Sequence, residues 1–121
     1  MKILVVDDSV TMRKIVINSL AKLGYPDTVE AGNGKEGLAL MYSEKIDMII
    51  TDWNMPELNG HDLIKAVRED QAFKELPILM ITTRSMKEDI IQALKIGATN
   101  YIVKPFEPKV LEKKMNEILK K

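Results

Sequence analysis

Short apolar runs alternate along the chain with longer stretches in which apolar residues recur every three or four positions. The runs are Ile3-Leu4-Val5-Val6, Thr28-Val29-Glu30-Ala31, Ile46-Asp47-Met48-Ile49-Ile50, Ile78-Leu79-Met80-Ile81 and Tyr101-Ile102-Val103. Three of them are almost uninterrupted in apolar character, the pattern of strands covered on both faces. Between the first two, Met12, Ile15, Val16, Leu20 and Leu23 keep helical spacing, with Ser9 or Thr11 placed to cap the start and Gly24 to close the end. Asn33-Gly34 precedes Leu38, Met41 and Tyr42, and Asn59-Gly60 precedes Leu63, Ile64 and Val67. Ser85 with Glu88 makes a capping box ahead of Ile90, Ile91 and Leu94, and Gly97 ends that helix. Pro108 suits a first helical position before Leu111, Met115 and Ile118. Strand followed by helix, repeated five times, predicts an α/β fold: a parallel sheet with helices on both faces.

Composition narrows the class. At 121 residues and 45% hydrophobic, the chain fills one core and is expected to be a single domain spanning residues 1–121. Eighteen basic and eighteen acidic side chains balance, which gives no long-range attraction to nucleic acid or to an anionic membrane. There is no cysteine, hence no disulfide framework, thiolate metal site or cysteine nucleophile. No apolar run reaches the roughly 18 residues of a membrane span, and the opening MKILVVDD is too short and too acidic for a secretory signal. A cytoplasmic, monomeric protein is the expectation. Acids outnumber bases nine to six in residues 1–60, and bases outnumber acids twelve to nine thereafter. Part of that excess is Lys109, Lys113, Lys114, Lys120 and Lys121 in the last helix, where cations suit the helix dipole. Lys87, Lys95 and Lys113 are equally readable as solvated surface and as a partner face.

In an open parallel sheet, chemistry gathers at the carboxyl ends of the strands. Here those ends carry Asp7-Asp8, Thr51-Asp52, Thr82-Thr83 and Lys104-Pro105. Carboxylates brought face to face repel and contribute little to stability, so three at one edge point to a cation between them. Oxygen ligands without histidine or cysteine suit a hard ion, and Mg²⁺ takes carboxylates while keeping several waters. Such a site accepts a phosphoryl group, with Lys104 and Thr82 placed to neutralise and hydrogen-bond its oxygens. One carboxylate would then be the nucleophile and form an acyl phosphate.

These residues carry a resemblance. Leu4-Val5-Val6-Asp7-Asp8-Ser9, Thr51-Asp52-Trp53-Asn54-Met55-Pro56, Ile81-Thr82 and Tyr101-Ile102-Val103-Lys104-Pro105-Phe106 resemble, from end to end, a receiver domain of two-component response regulators. The strings DWNMP and YIVKPF are similar to the single-domain chemotaxis branch. The resemblance implies a flavodoxin-like, doubly wound sheet in the order 2-1-3-4-5 with five flanking helices. It also implies that Asp52 is the phosphoacceptor, assisted by Lys104 and Thr82. Mg²⁺ would be held by Asp7, Asp8, Asp52 and the backbone carbonyl of Asn54, Asp7 acting mostly through water. A cis bond between Lys104 and Pro105 is implied too. Thr82 and Tyr101 would form a switch pair that reshapes the face made by the fourth helix, fifth strand and last helix. Asn54 and Arg84 would tune dephosphorylation, and Arg84 departs from the acid or small residue common in that branch. The implied partners are a chemotaxis-type histidine kinase as phosphodonor, the flagellar motor switch protein and a phosphatase, with no nucleic acid and no membrane. No output domain is expected after Lys121, and the only catalysis expected is the chain's own phosphorylation and dephosphorylation.

Other assignments fit less well. A single-domain phosphorelay intermediate, or a regulator of a non-motor partner, shares every motif and stays open. A Mg²⁺-dependent phosphatase of the haloacid-dehalogenase type needs an Asp-x-Asp after its first strand, whereas Asp7 and Asp8 are adjacent. An FMN carrier of the flavodoxin type needs a phosphate loop there, which the same pair would repel. His61, the sole histidine, reads as an exposed helix-start residue, Trp53 as a partly exposed neighbour of Asp52, and most methionines as core.

Overall fold

A computed structural model describes residues 1–55, 57–83 and 87–120. Five strands, β1 (Ile3–Val6), β2 (Thr28–Ala31), β3 (Met48–Asp52), β4 (Ile78–Thr82) and β5 (Asn100–Val103), alternate with five helices. The helices are α1 (Val10–Lys22), α2 (Gly34–Ser43), α3 (Gly60–Glu69), α4 (Lys87–Ile96) and α5 (Pro108–Leu119), and a 3₁₀ turn covers Gln71–Phe73. The sheet is parallel throughout, in the order β2-β1-β3-β4-β5.

Strand alternation divides the core in two. Leu4, Val6, Ile49, Ile78 and Met80 face α2, α3 and α4, where they meet Met41, Leu63, Ile64, Val67 and Ala93. Ile3, Val5, Met48, Ile50, Leu79, Ile81 and Ile102 face α1 and α5, against Val16, Leu20, Leu111 and Met115. Each fully buried Leu or Ile contributes roughly 1.5–3 kcal/mol of transfer free energy. Both faces are thus sealed, and no helix among the described residues is long and apolar enough to cross a membrane.

The helix starts follow the sequence reading. Ser9 caps α1 by accepting from the Met12 amide at 3.1 Å, Asn33 caps α2 from Glu36 at 2.8 Å, and Asn59 caps α3 from Asp62 at 2.9 Å. Pro108 opens α5, and Gly97 leaves α4 at φ +123°. The Ser85 capping box lies outside the described residues, as do Pro56, Arg84 and Lys121. The third strand differs from expectation: it runs Met48–Asp52, not from Ile46. Asp47 instead exchanges hydrogen bonds with Lys2, its amide donating to the Lys2 carbonyl at 2.8 Å and its carboxylate accepting from the Lys2 amide at 2.7 Å. Thr51 and Asp52 continue the ladder against Met80 and Ile81.

Candidate functional site

Register brings the strand ends together. Val6 pairs with Thr51, Asp52 with Ile81, and Thr82 with Val103. Each next residue, Asp7, Trp53 and Lys104, therefore leaves the sheet at one edge. The ladder runs slightly past the strands, with the Asp7 amide donating to the Ala31 carbonyl at 3.1 Å and the Lys104 amide to the Thr82 carbonyl at 2.7 Å. Carboxylate oxygens of Asp7, Asp8 and Asp52 lie within 4.8 Å of one another. Asp7 and Asp52 are buried and Asp8 is exposed, so the cluster has one open side.

Each buried carboxylate is held by specific donors. Asp7 Oδ1 accepts from the Ser9 amide at 2.9 Å, while Asp7 Oδ2 takes the Lys104 ammonium at 3.1 Å. Asp52 Oδ1 accepts from the Trp53 amide at 2.8 Å, and Asp52 Oδ2 lies 3.5 Å from Lys104 Nζ. Burial pushes the Asp52 carboxyl above the ordinary aspartate value, the Lys104 charge pulls it back, and Asp7 pushes it up again. The Lys104–Pro105 bond is cis, as the resemblance implied.

The donor set fits a small divalent cation. All three groups offer oxygen, and among the described residues three carboxylates against one ammonium leave two negative charges uncompensated. Oxygens on opposite sides of an ion bound at about 2.1 Å stand roughly 4.2 Å apart. The observed 4.8 Å spread lies within a small side-chain adjustment of that distance.

The remaining expected residues lie around this cluster. Thr82 is buried at the end of β4. Tyr101 is half-buried and pairs with Met80, two residues before Thr82, so Thr82 and Tyr101 project from the sheet face that α4 covers. Lys114 Nζ sits 4.8 Å from the centre of the Tyr101 ring. Asn54 is exposed and lines a polar cleft of about 320 Å³ with Trp53, Asn59, His61, Asp89 and Gln92. Arg84 is not among the described residues.

Two aromatic assignments need correction. Trp53 is buried, 7% exposed, because its ring packs into the α2-α3-α4 core. His61 is half-buried: its ring meets Trp53 edge-on at 5.7 Å, and Nδ1 lies 3.1 Å from Asp62 Oδ1. Sequence reasoning also passed over Arg13, whose guanidinium reaches the Asp7 carbonyl at 2.5 Å and Glu30 Oε1 at 3.1 Å. A basic residue one turn into the helix that follows the acid pair was the available signal.

Comparisons with known proteins agree with this fold. The sequence pattern described as "Response regulator receiver domain" matches residues 3–116. The chain is 54% identical to chemotaxis protein CheY1 of Helicobacter pylori, over 98% of this chain and 97% of that protein. It is 45% identical to chemotaxis protein CheY of Pseudomonas aeruginosa, over 100% and 98%. Among solved structures, chemotaxis response regulator CheY4 of Vibrio cholerae superimposes with a TM-score of 0.90 at 39% identity, covering 97% of both chains. A response regulator from Chloroflexus aurantiacus gives 0.92 at 34% identity, covering 99% and 98%.

Proposed function

The chain belongs to the response regulator receiver domain family, and from that premise we propose that it is a phosphorylation-activated chemotaxis regulator with Asp52 as phosphoacceptor. The observation that carries the reading is the convergence of Asp7, Asp8, Asp52 and Lys104 at one sheet edge. Receivers of this kind are regulators, not classical enzymes, and the chemistry proposed here is confined to the chain's own phosphorylation and dephosphorylation.

Asp52 Oδ2 is the nucleophile. Oδ1 is engaged by the Trp53 amide, and Oδ2 faces Lys104 from a desolvated position, where a carboxylate is a stronger nucleophile. Oδ2 forms a P–O bond as the phosphorus–nitrogen bond of a kinase phosphohistidine, protonated on its other ring nitrogen, breaks, leaving an acyl phosphate and a neutral imidazole. Lys104 and the Thr82 hydroxyl take the phosphoryl oxygens, and the orienting work is electrostatic. Asp7, Asp8, Asp52 and the Asn54 carbonyl hold Mg²⁺, which when bound neutralises negative charge at the phosphoryl group. Asn54 and Arg84 tune the later hydrolysis of the acyl phosphate by water, and a phosphatase acts on that same step.

Switching follows from the shared face. A Thr82 hydroxyl drawn towards the phosphoryl group vacates room on the side to which Tyr101 projects, and Tyr101 turns inward. The surface so altered carries Ile91 and Leu94 of α4 and Val110 of α5, all exposed apolar side chains among lysines. That combination suits an amphipathic acidic segment, and the flagellar motor switch protein is the proposed partner. Moving the switch from about 1:99 to 99:1 takes roughly 5.5 kcal/mol. Charge-assisted phosphoryl contacts at about 1.5–3 kcal/mol each supply that when made in one state only.

Trp53 adjoins Asp52 and is the only tryptophan, so it reports directly. Mg²⁺ changes its fluorescence, and acetyl phosphate then changes it further and reversibly. Asp52→Asn abolishes the second step. A parent protein that binds Mg²⁺ and never acquires an acid-labile phosphoryl group on Asp52 refutes the proposal.

A further inference from the structure

Arg13 is charged and stands outside the two apolar clusters, yet its side chain is only 15% exposed. It is the fourth residue of α1, and helical side chains lean back over the preceding turn. That lean takes the guanidinium across the end of β1. Nη1 donates to the Asp7 carbonyl at 2.5 Å, and Nε donates to Glu30 Oε1 on β2 at 3.1 Å. The group passes over Gly32, where an added Cβ would lie 3.7 Å from Nη1.

The Asp7 carbonyl belongs to the peptide unit that joins Asp7 to Asp8. The preceding amide, that of Asp7, is already fixed to Ala31 at 3.1 Å. With the carbonyl also taken, the rotation that would swing Asp8 away from Asp7 and Asp52 is blocked. A planar fork with separate donors makes both contacts at once, which a single ammonium cannot reproduce. Glu30 at the same time neutralises the guanidinium, so that the cation stands beside the acid cluster without adding a free positive charge to it.

We propose that Arg13 is a positioning residue for the metal site, fixing the Asp7–Asp8 peptide so that both carboxylates face one ion, with Glu30 orienting the fork. This rests on reading the acid cluster as a Mg²⁺ site. Outer partners that orient ligands without touching the metal typically change affinity by about 10–100-fold when removed.

The sign of the effect separates positioning from simple electrostatics. Deleting a nearby positive charge strengthens attraction for a cation, whereas releasing the peptide weakens binding. The experiment titrates Mg²⁺ alone into the parent, Arg13→Gln, Arg13→Lys and Glu30→Gln, following Trp53 fluorescence and confirming by calorimetry. Melting in EDTA checks that each variant is folded at the titration temperature. The dissociation constant is expected to rise about tenfold in Arg13→Gln, by several-fold in Arg13→Lys despite its retained charge, and less in Glu30→Gln. An unchanged constant with a lowered melting point would make Arg13 merely structural, and a tighter constant would make its effect Coulombic. Either result overturns the inference. Should Arg13→Gln fail to fold, Arg13→Lys decides: a raised constant with the charge retained supports positioning, and an unchanged constant overturns it. A parent protein that binds no Mg²⁺ refutes the site reading itself, and the inference with it.

Discussion

Lys104 carries an ammonium that contacts the carboxylates of both Asp7 and Asp52, and replacing it with methionine tests how the cluster is balanced. Its ammonium lies 3.1 Å from Asp7 and 3.5 Å from Asp52, with side chains 14%, 5% and 8% exposed respectively. Those exposures put the contact in the buried class, where removing one partner costs about 3–5 kcal/mol, and not in the surface class, worth about 0–1 kcal/mol. Proton uptake sets a ceiling. At pH 7 the folded protein can protonate one carboxyl instead, and for an aspartate of ordinary pKa that costs roughly 4 kcal/mol at about 1.36 kcal/mol per unit. Burial has already raised the Asp52 carboxyl, which lowers the ceiling further. The expected loss for Lys104→Met is therefore about 2–4 kcal/mol in the absence of divalent cations.

Urea unfolding at pH 7 in EDTA measures it, with the slope checked for constancy between parent and variant. Repeating the measurement in Mg²⁺ should narrow the gap, because the ion supplies the missing positive charge and binds the variant more tightly than the parent. Lowering the pH towards 4 should narrow it again as carboxyls protonate. A loss below about 1 kcal/mol in EDTA, or a gap that Mg²⁺ leaves unchanged, refutes the charge balance argued here. The contrast with Arg13 is informative: deleting the ammonium that competes for the carboxylates strengthens metal binding, and deleting the guanidinium that orients them weakens it.

Other consequences follow from the same geometry. Asp52 has a folded-state pKa raised above 3.8, so folding favours its protonated form; stability is greatest below that value and is lost as pH rises through the raised one. Asp52→Asn should accordingly raise the metal-free melting point at pH 7, with the gain vanishing below pH 3.8, as calorimetry across pH would show. Gly60→Ala places a Cβ against the Asp52 carbonyl and 2.8 Å from Trp53 Cα, and should cost about 1–3 kcal/mol in denaturant unfolding. Lys114→Gln removes the ammonium 4.8 Å from the Tyr101 ring. At about 0.5–1 kcal/mol for an exposed cation–π contact, the ring populations should shift two- to fivefold, read by fluorine NMR of 3-fluorotyrosine at Tyr101.

Much of this architecture is written locally. The β-branched runs, the Asn33 and Asn59 caps and Pro108 at the start of α5 each act within a few residues, and each stands where its chemistry predicts. The sheet edge was legible because parallel pairing forces strand ends onto one side, so Asp7, Asp52, Thr82 and Lys104 converge whatever the helices do. The strand order and the Thr82–Tyr101 pairing came from the family resemblance, since apolar runs of equal character do not record which neighbour each will take.

What escaped the sequence reading was the direction of side chains over distance. Ile46 is apolar enough for a strand, yet β3 starts at Met48, after the hydrogen bonds between Asp47 and Lys2. Trp53 and His61 were expected to be more open, one as a neighbour of Asp52 and the other as a helix-start residue, yet the indole packs into the core and shelters the imidazole. Arg13 is the plainest instance. On a helical wheel it is one cation in a polar stretch beside Lys14, and nothing in the spacing says that one of them folds back to β1 while the other is exposed to solvent. Ligand residues can be inferred from chemistry concentrated at strand ends. The residues that aim them depend on tertiary contacts, here a peptide carbonyl that exists at that position only once β1, β2 and α1 have packed.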